Sequence, residues 1–370
     1  MIKVHVIQAR YGDCLLLEYG EADRPSFMLI DGGPARNYKE RLKPALASLL
    51  NGQTVIGDIV ISHVDNDHIL GVLDMLTEWL IEKDTGGAAS LTASHCWFNS
   101  FSNTIRTRQL ETRLAAINKV ASLQGVQMLA MNFTLTGIQE GARVIQRAGQ
   151  LGIPVNEDTG GGPLIAAAAN LPVQRGNMEI IIAGPTTDNL QKLQTEWEEW
   201  VRKNERKIAA GEYTPQAAAD LDKSIPNLSS IVLLVKAEGK TILLTGDCRS
   251  DHLQQGLIET GCSPDGRLHV DVFKVQHHGS CRNVKGGQEF FEQVTAGTYI
   301  ISADGTYHNP DYDTLRWIVE AAHQAGRKIK LVLTNATASS EKLLQEYDPA
   351  VYGYEPVIMK KEENYLTLGW

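Results

Sequence analysis

Apolar residues follow two rhythms along this chain, one near two and one near 3.6, and the exchange between them predicts strands alternating with helices. Near the start "KVHVIQA" largely alternates, "CLLLEYG" is apolar, and Tyr11-Gly12-Asp13 makes a polar turn between them. "SFMLIDGG" predicts a third strand ending on Asp31 and a glycine pair. Leu42, Leu46, Leu49 and Leu50 give a helix over roughly 38–51 its apolar face. "DIVIS" predicts a fourth strand, rich in β-branched residues. Leu70, Leu73, Leu76 and Leu80 then recur at helical spacing, so "SHVDNDH" occupies a strand-to-helix turn.

The stretch 83–222 is less regular. "KDTGGAAS" and "EDTGGGP" read as loops, "SHCWFNS" and "MEIIIAGP" as strands. "TIRTRQLETRLAAINKVASL" predicts an amphipathic helix carrying Arg106, Arg108, Arg113 and Lys119, and "NLQKLQTEWEEWVRKNERKIAAG" a second with Arg202, Lys203, Arg206 and Lys207. So long a stretch exceeds an ordinary loop, and an inserted, mainly helical lobe is expected, as a lid or a substrate-recognition element. It could equally be an oligomerisation surface, with Trp79, Trp97, Trp197 and Trp200 as core or interface residues. Beyond it, "SSIVLLVKAEGKTILLTGD" predicts a hairpin turning at Glu238-Gly239 and ending on Asp247. A helix over Asp251–Thr260, the strand "VDVFKVQ" leading to "HHGS", the strand "TYIISA", the loop "DGTYHNP", a helix over 311–325 and the strand "KIKLVLT" follow. The class is α/β, with polar groups repeatedly at strand C-termini, where side chains of separate strands can converge.

Those loaded ends are Asp31, the His63–His68 cluster, Asp247, His277 with His278, and His308. The cluster is open to two readings, a metal cradle or a polar turn. If it begins extended, His63 and Asp65 project to one side, and the turn into the helix swings Asp67 and His68 toward a neighbouring point. Two adjacent metal positions could then share Asp247, whose carboxylate has two oxygens, and metals about 3.5–4 Å apart would hold a water or hydroxide for in-line attack.

Composition narrows the setting. With 370 residues and 43% hydrophobic content the chain can bury a substantial core. A formal charge of −9 does not advertise nucleic-acid binding, which would need a local basic patch or bound cations. The apolar runs are too short to cross a bilayer, and "MIKVHVIQAR" has no signal-peptide core. Cys14, Cys96, Cys248, Cys262 and Cys281 form no CxxC pair and are odd in number, which fits free thiols in a reducing interior. A soluble cytoplasmic protein, with no membrane partner, is expected.

In order and context these segments resemble the metallo-β-lactamase-fold hydrolases. The family's HxHxDH signature stands here as "HVDNDH", with Asp65 at the second histidine. That HxDxDH variant is similar to the soluble hydrolase domain of bacterial DNA-uptake (competence) channel proteins. "VIQARYGDCLLLEYG", "FMLIDGG", "NLSSIVLLVKAEGKTILLTGD", "VFKVQHHGS" and "YIISADGTYHNP" agree with the family's other elements, over about 1–80 and 225–320. The resemblance implies a four-layer αββα sandwich in a single metallohydrolase domain, and one or two divalent metals. It assigns His63 and Asp65 to a first metal, Asp67 and His68 to a second, and Asp247 to the bridge. His277, directly after its strand, joins the second site, leaving His278 as an outer or substrate-facing group. His308 becomes a proton donor or oxyanion stabiliser, Asp67 and His278 further catalytic groups, Asp31 a hydrogen-bonding support, and Ser280 and Asn227 substrate contacts.

One departure matters. The family carries another metal histidine between the cluster and the bridging Asp, and here only His95, in "SHCWF", lies between. The first position is therefore expected to be ligand-poor, completed by water, substrate, Asn99 or Asn227. Carboxylate in place of imidazole makes Mn²⁺ or Fe²⁺ plausible beside Zn²⁺. The favoured expectation is a phosphodiesterase or nuclease using a metal-bound hydroxide on a nucleic-acid or nucleotide-type substrate. The rivals are a hydrolase of a small ester, thioester or lactam, and a non-enzymatic binding or signalling module with a degenerate metal site.

Overall fold

The computed structural model describes residues 1–87, 89–100, 104, 131–209 and 226–370. Its strands are β1 Ile2–Ile7, β2 Leu15–Glu21, β3 Arg24–Ile30, β4 Val55–Ile61, β5 Thr92–Phe98, β6 Val173–Arg175, β7 Met178–Gly184, β8 Val232–Ala237, β9 Lys240–Leu244, β10 Leu268–Lys274, β11 Val294–Ile301, β12 Ile329–Leu333, β13 Tyr354–Ile358 and β14 Tyr365–Gly369. They form two sheets, one in the order β14-β1-β2-β3-β4-β5 and the other β13-β12-β11-β10-β9-β8-β7-β6. In the first, β3, β4 and β5 run parallel; in the second, β9 to β13 do.

Alternation decides which side chains fill which layer. Val4, Leu15, Leu17, Met28 and Val60 of the first sheet meet Ile180, Leu233, Val235, Ile242, Val272 and Ile300 of the second. The opposite face of the first sheet, with Leu16, Phe27, Leu29, Ile59 and Ile61, packs on helices. These are α1 Lys43–Leu49, preceded by a wider helical turn Tyr38–Leu42, α2 Asn66–Asp84 and α3 Met131–Leu151, contributing Leu42, Leu46, Val72, Leu76, Trp79, Val144 and Ala148. Beyond them in the chain lies α4 Thr187–Ala209, whose Leu190, Leu193 and Trp197 are buried. The outer face of the second sheet, with Leu234, Leu243, Phe273, Tyr299 and Leu331, is covered by α5 Ser250–Glu259, α6 Gln288–Gln293, α7 Tyr312–Gln324 and α8 Ala338–Glu346. The result is the four-layer αββα sandwich expected from the sequence. No helix among the described residues is long and apolar enough to cross a membrane.

The described parts of 83–222 contribute strands to both sheets and a helix to the first helical layer. β5 is the edge strand of the first sheet, β6 and β7 extend the second, and α3 packs on α2. The helix carrying Arg106, Arg108, Arg113 and Lys119 lies outside the described residues, as do the side chains of Trp200, Lys203, Arg206 and Lys207.

Parallel strands present their C-termini at one edge, and there β3, β4, β9, β10 and β11 end together. The first turn of α2 is pressed onto the loop after β3. Gly71 N–H donates to Gly33 O at 3.0 Å and Gly32 N–H to His68 O at 2.8 Å. A Cβ on Gly71 would stand 1.9 Å from Gly32 O, so only glycine permits this approach.

Candidate metal centre

Asp31 opens the site from behind. It follows β3 in a left-handed conformation, φ +57°. Its Oδ1 accepts from Ser62 N–H at 2.7 Å, and its Oδ2 from Ser62 Oγ at 2.7 Å and His68 Nδ1 at 2.8 Å. Because the Ser62 hydroxyl proton goes to Asp31, its oxygen is left to accept from His63 Nδ1, 3.0 Å away. His278 Nδ1 donates to Ser302 O at 3.0 Å, with Asp13 Oδ1 at 3.4 Å. Each of the three imidazoles thus spends its Nδ1–H on a rear acceptor and turns its Nε2 inward.

The inward atoms converge. His68 Nε2 and His278 Nε2 are 3.3 Å apart, close enough to share a proton or a cation. His68 Nε2 lies 3.4 Å from Asp247 Oδ1 and 4.0 Å from Asp67 Oδ1. His278 Nε2 lies 3.2 Å from Asp67 Oδ2 and 3.6 Å from Asp247 Oδ2. On the other side of Asp247, His63 Nε2 is 3.7 Å from Oδ2 and 3.5 Å from Asp65 Oδ2. Such separations suit atoms sharing a cation at roughly 2.0–2.2 Å. Buried His63 Nε2 and Asp247 Oδ1 have no hydrogen-bond partner in the protein, and the cost of leaving them so favours a cation-binding role. The residues present therefore fit a divalent metal.

Charge follows from this crowding. Burial would drive protons off His278, but the Asp247 and Asp13 carboxylates prevail and push its pKa up to about 10. His68 is likewise raised well above its ordinary value against burial, by Asp247, Asp31 and Asp67. Burial would raise Asp247, yet His277, His278 and His68 hold it well below the usual carboxylate range. A field that holds protons on these rings would also hold a metal cation.

Two groups enter from places not singled out for chemistry in the sequence. Asp13, in the turn between β1 and β2, can bring an oxygen to within 4.8 Å of ligand atoms of His68, Asp247 and His278, all four being buried. Its other oxygen meets Lys274 Nζ at 2.7 Å, and Lys274, only 1% exposed, also donates to Val275 O at 3.0 Å. Burial would raise the Asp13 carboxyl, but Lys274 and His278 hold it well below its ordinary range. The available signal was a lysine inside the apolar run "VDVFKVQ", which demands a buried anion.

The histidine pair departs from expectation. His278, not His277, faces Asp67 and His68. Placing His277 there rested on its standing directly after the strand. The strand stops at Lys274, and both histidines are left-handed, φ +48° and +54°, which turns successive rings to different sides. His277 stands 26% exposed with Nδ1 3.8 Å from Asp247 Oδ2, accepting from Asn227 Nδ2 at 3.0 Å. Burial lowers its pKa.

Other candidates stand apart. Asn99 spends both ends of its amide on Leu164, at 2.8 Å each. His95 lies between Asp58 and Glu157, at 3.6 and 3.7 Å. Ser280 closes the turn after the histidines, its N–H donating to His277 O at 2.8 Å. His308 is exposed on the loop after β11, outside the buried donor group. Beside it Tyr307, 58% exposed and at φ +62°, meets Tyr11 edge-on with ring centroids 5.6 Å apart. Burial raises both phenols, and the Asp67 carboxylate adds to it.

No protein-family model matches the chain, and no curated protein matches it. Among solved structures it is similar to the crystal structure of Tm1679, a metal-dependent hydrolase of the β-lactamase superfamily. The identity is 11%, over 100% of this chain and 99% of that one, with a TM-score of 0.42. At that score the likeness says nothing of the site, whose chemistry rests on the distances above.

Proposed function

We propose that this chain is a metal-dependent hydrolase whose substrate is a phosphodiester of nucleic-acid or nucleotide type. One observation carries the reading: the buried Asp247 carboxylate turns one oxygen to His68, 3.4 Å away, and the other to His63, 3.7 Å away, with further carboxylates and an imidazole around them. His63 and Asp65 would serve one position and Asp67, His68 and His278 the other, with Asp247 between. When bound, divalent metals supply Lewis acidity and lower the pKa of water. The protein's own work is positional. Asp31, Ser62 and Ser302 fix the imidazole tautomers from behind. Asp67, about a quarter exposed, is the carboxylate able to accept a hydrogen bond from an entering water. His308, exposed on the rim, can reach a leaving oxygen as proton donor, and Tyr11 with Tyr307 offers ring faces to a planar substituent.

The setting proposed is the cytoplasm, with Zn²⁺ or Mn²⁺ as the metal and Fe²⁺ as a third choice. A second reading, hydrolysis of a small ester, thioester or lactam, is favoured by the carboxylates Asp65 and Asp67 at the centre, which repel a polyanion. An activity panel in Zn²⁺ or Mn²⁺ with single- and double-stranded DNA, RNA, cyclic nucleotides and a chromogenic lactam separates them. Phosphodiester cleavage that weakens steeply with salt supports a nuclease; salt-indifferent turnover of the lactam alone rejects it. Asp67→Ala should lose turnover while staying folded, and retained activity would reject the centre itself.

A further inference from the structure

Two tyrosines that hold no metal are built into the flank of the centre. Tyr11 precedes Gly12, which lies so close to Asp67 that an added Cβ would stand 2.0 Å from Asp67 O. Asp13, the next residue, donates its N–H to that same oxygen at 3.3 Å and belongs to the buried ligand group. Tyr307 meets Tyr11 edge-on, with centroids 5.6 Å apart and planes at 89°. We infer that Tyr307 is a platform for one planar ring of the substrate and Tyr11 its buttress, so that the centre selects anions with a ring beside the reacting group.

Exposure and backbone conformation favour a platform over space-filling. Tyr307 is 58% exposed although its φ is +62°, and His308 follows at +68°. Left-handed non-glycine residues persist only where the surroundings hold them, and ligand clamps are among the places they gather. Hydrogen bonds supply that hold. Within the loop Gly305 N–H donates to Asn309 O at 3.0 Å and Thr306 N–H to Asp304 Oδ1 at 2.9 Å. At its root Ala303 O accepts from Asn335 Nδ2 at 2.8 Å, and Asn335 Oδ1 accepts from buried Gln8 Nε2 at 3.0 Å. Gln8 Oε1 in turn accepts from Arg10 N–H at 2.9 Å, directly before Tyr11. Ser302 Oγ donates to Gly12 O at 2.6 Å, directly after it. One connected set of bonds thus fixes the two backbones that carry the rings, and a preorganised surface binds with less loss of freedom.

The geometry also limits what binds. Rings set edge-on have no parallel slot between them, so the pair receives a single ring on an outer face. The ligand is an anion with one flat ring, whether a nucleotide unit or an aryl ester. The inference rests on the proposed metal-dependent hydrolase, but on neither choice of its substrate.

Its test reads binding rather than turnover. The full chain is stripped with chelator and loaded with Co²⁺, and phenyl phosphate and methyl phosphate are titrated against the Co²⁺ absorption. The two probes share a phosphate and differ in the ring. Stacking is worth roughly 5–150-fold in affinity, and the wild type should prefer phenyl phosphate within that range. Tyr307→Gly is the primary variant, because glycine takes the positive φ without strain, and it should bring the ratio of the two affinities to within about twofold. Tyr307→Phe should keep the ratio, and Tyr11→Ala should lower it. A general loosening of the site would weaken both phosphates alike and leave the ratio standing. Equal affinities in the wild type, or a ratio that survives Tyr307→Gly, would overturn the inference and leave the metal centre intact. No bound Co²⁺, or no response to either phosphate, would remove the hydrolase reading beneath it.

Discussion

Strand β4 carries charge to two buried clusters that solve opposite problems. Asp58, within the strand and fully buried, is gripped by Arg175 Nε at 2.9 and 3.0 Å, while Arg175 Nη2 reaches Asp158 Oδ2 at 2.6 Å. Trp97 Nε1 donates to the same Asp158 oxygen at 2.9 Å, and the guanidinium lies over the Trp97 ring. Each anion there has its donor, and the cluster ties the two sheets together. Just past the same strand, His63 and its neighbours crowd carboxylates and imidazoles together, leaving buried His63 Nε2 and Asp247 Oδ1 without a hydrogen-bond partner. Buried charge that is fully matched holds a fold; buried lone pairs that converge unmatched invite a ligand.

Breaking the matched cluster should have the largest effect on stability. Arg175→Met leaves buried Asp58 with only His95 beside it, 3.6 Å away, and urea unfolding should show a loss of about 3–5 kcal/mol with unchanged metal content. The converse holds at the centre. At free metal about 100-fold above the dissociation constant, chelation should lower stability by about 2.7 kcal/mol, and Asp247→Asn should abolish that difference. Asp31→Asn sharpens the contrast, because it replaces an acceptor of His68 by a donor. Metal affinity should fall roughly 10–100-fold with little change in the metal-free melting temperature.

Acid should discriminate more gently. Asp13 is depressed in the folded protein by Lys274, so its contribution is full above the unfolded carboxyl value near 3.9 and is lost as pH falls below it. The wild type should lose about 1 kcal/mol between about pH 4 and pH 3 through this group, and Asp13→Asn should flatten that slope. Equal slopes would mean the Asp13–Lys274 pair does not hold its charge when buried.

Much of the sandwich was legible because periodicity is local. β1 to β4 and β7 to β12 lie in the runs that predicted them, and the turn at Glu238-Gly239 falls between β8 and β9. Other elements left no comparable trace, among them β13, β14 and α3. β13 contains Pro356, which its parallel pairing with β12 tolerates at a sheet edge. β14 is a short strand whose partner β1 lies at the far end of the chain. α3 holds Gly141 in its interior, a poor helix former, at a place where an added Cβ would lie 3.1 Å from Phe98.

By itself the sequence determined which residues would stand at strand ends, since alternation and turn chemistry act over a few neighbours. Tertiary structure alone decided which of those ends meet, how His277 and His278 divide around Asp247, and that Asp13 and Lys274 stand behind them. Those choices depend on the order of strands in two sheets and on two left-handed residues after β10. Neither leaves a mark in local hydrophobic pattern, because both are settled by contacts between segments hundreds of residues apart.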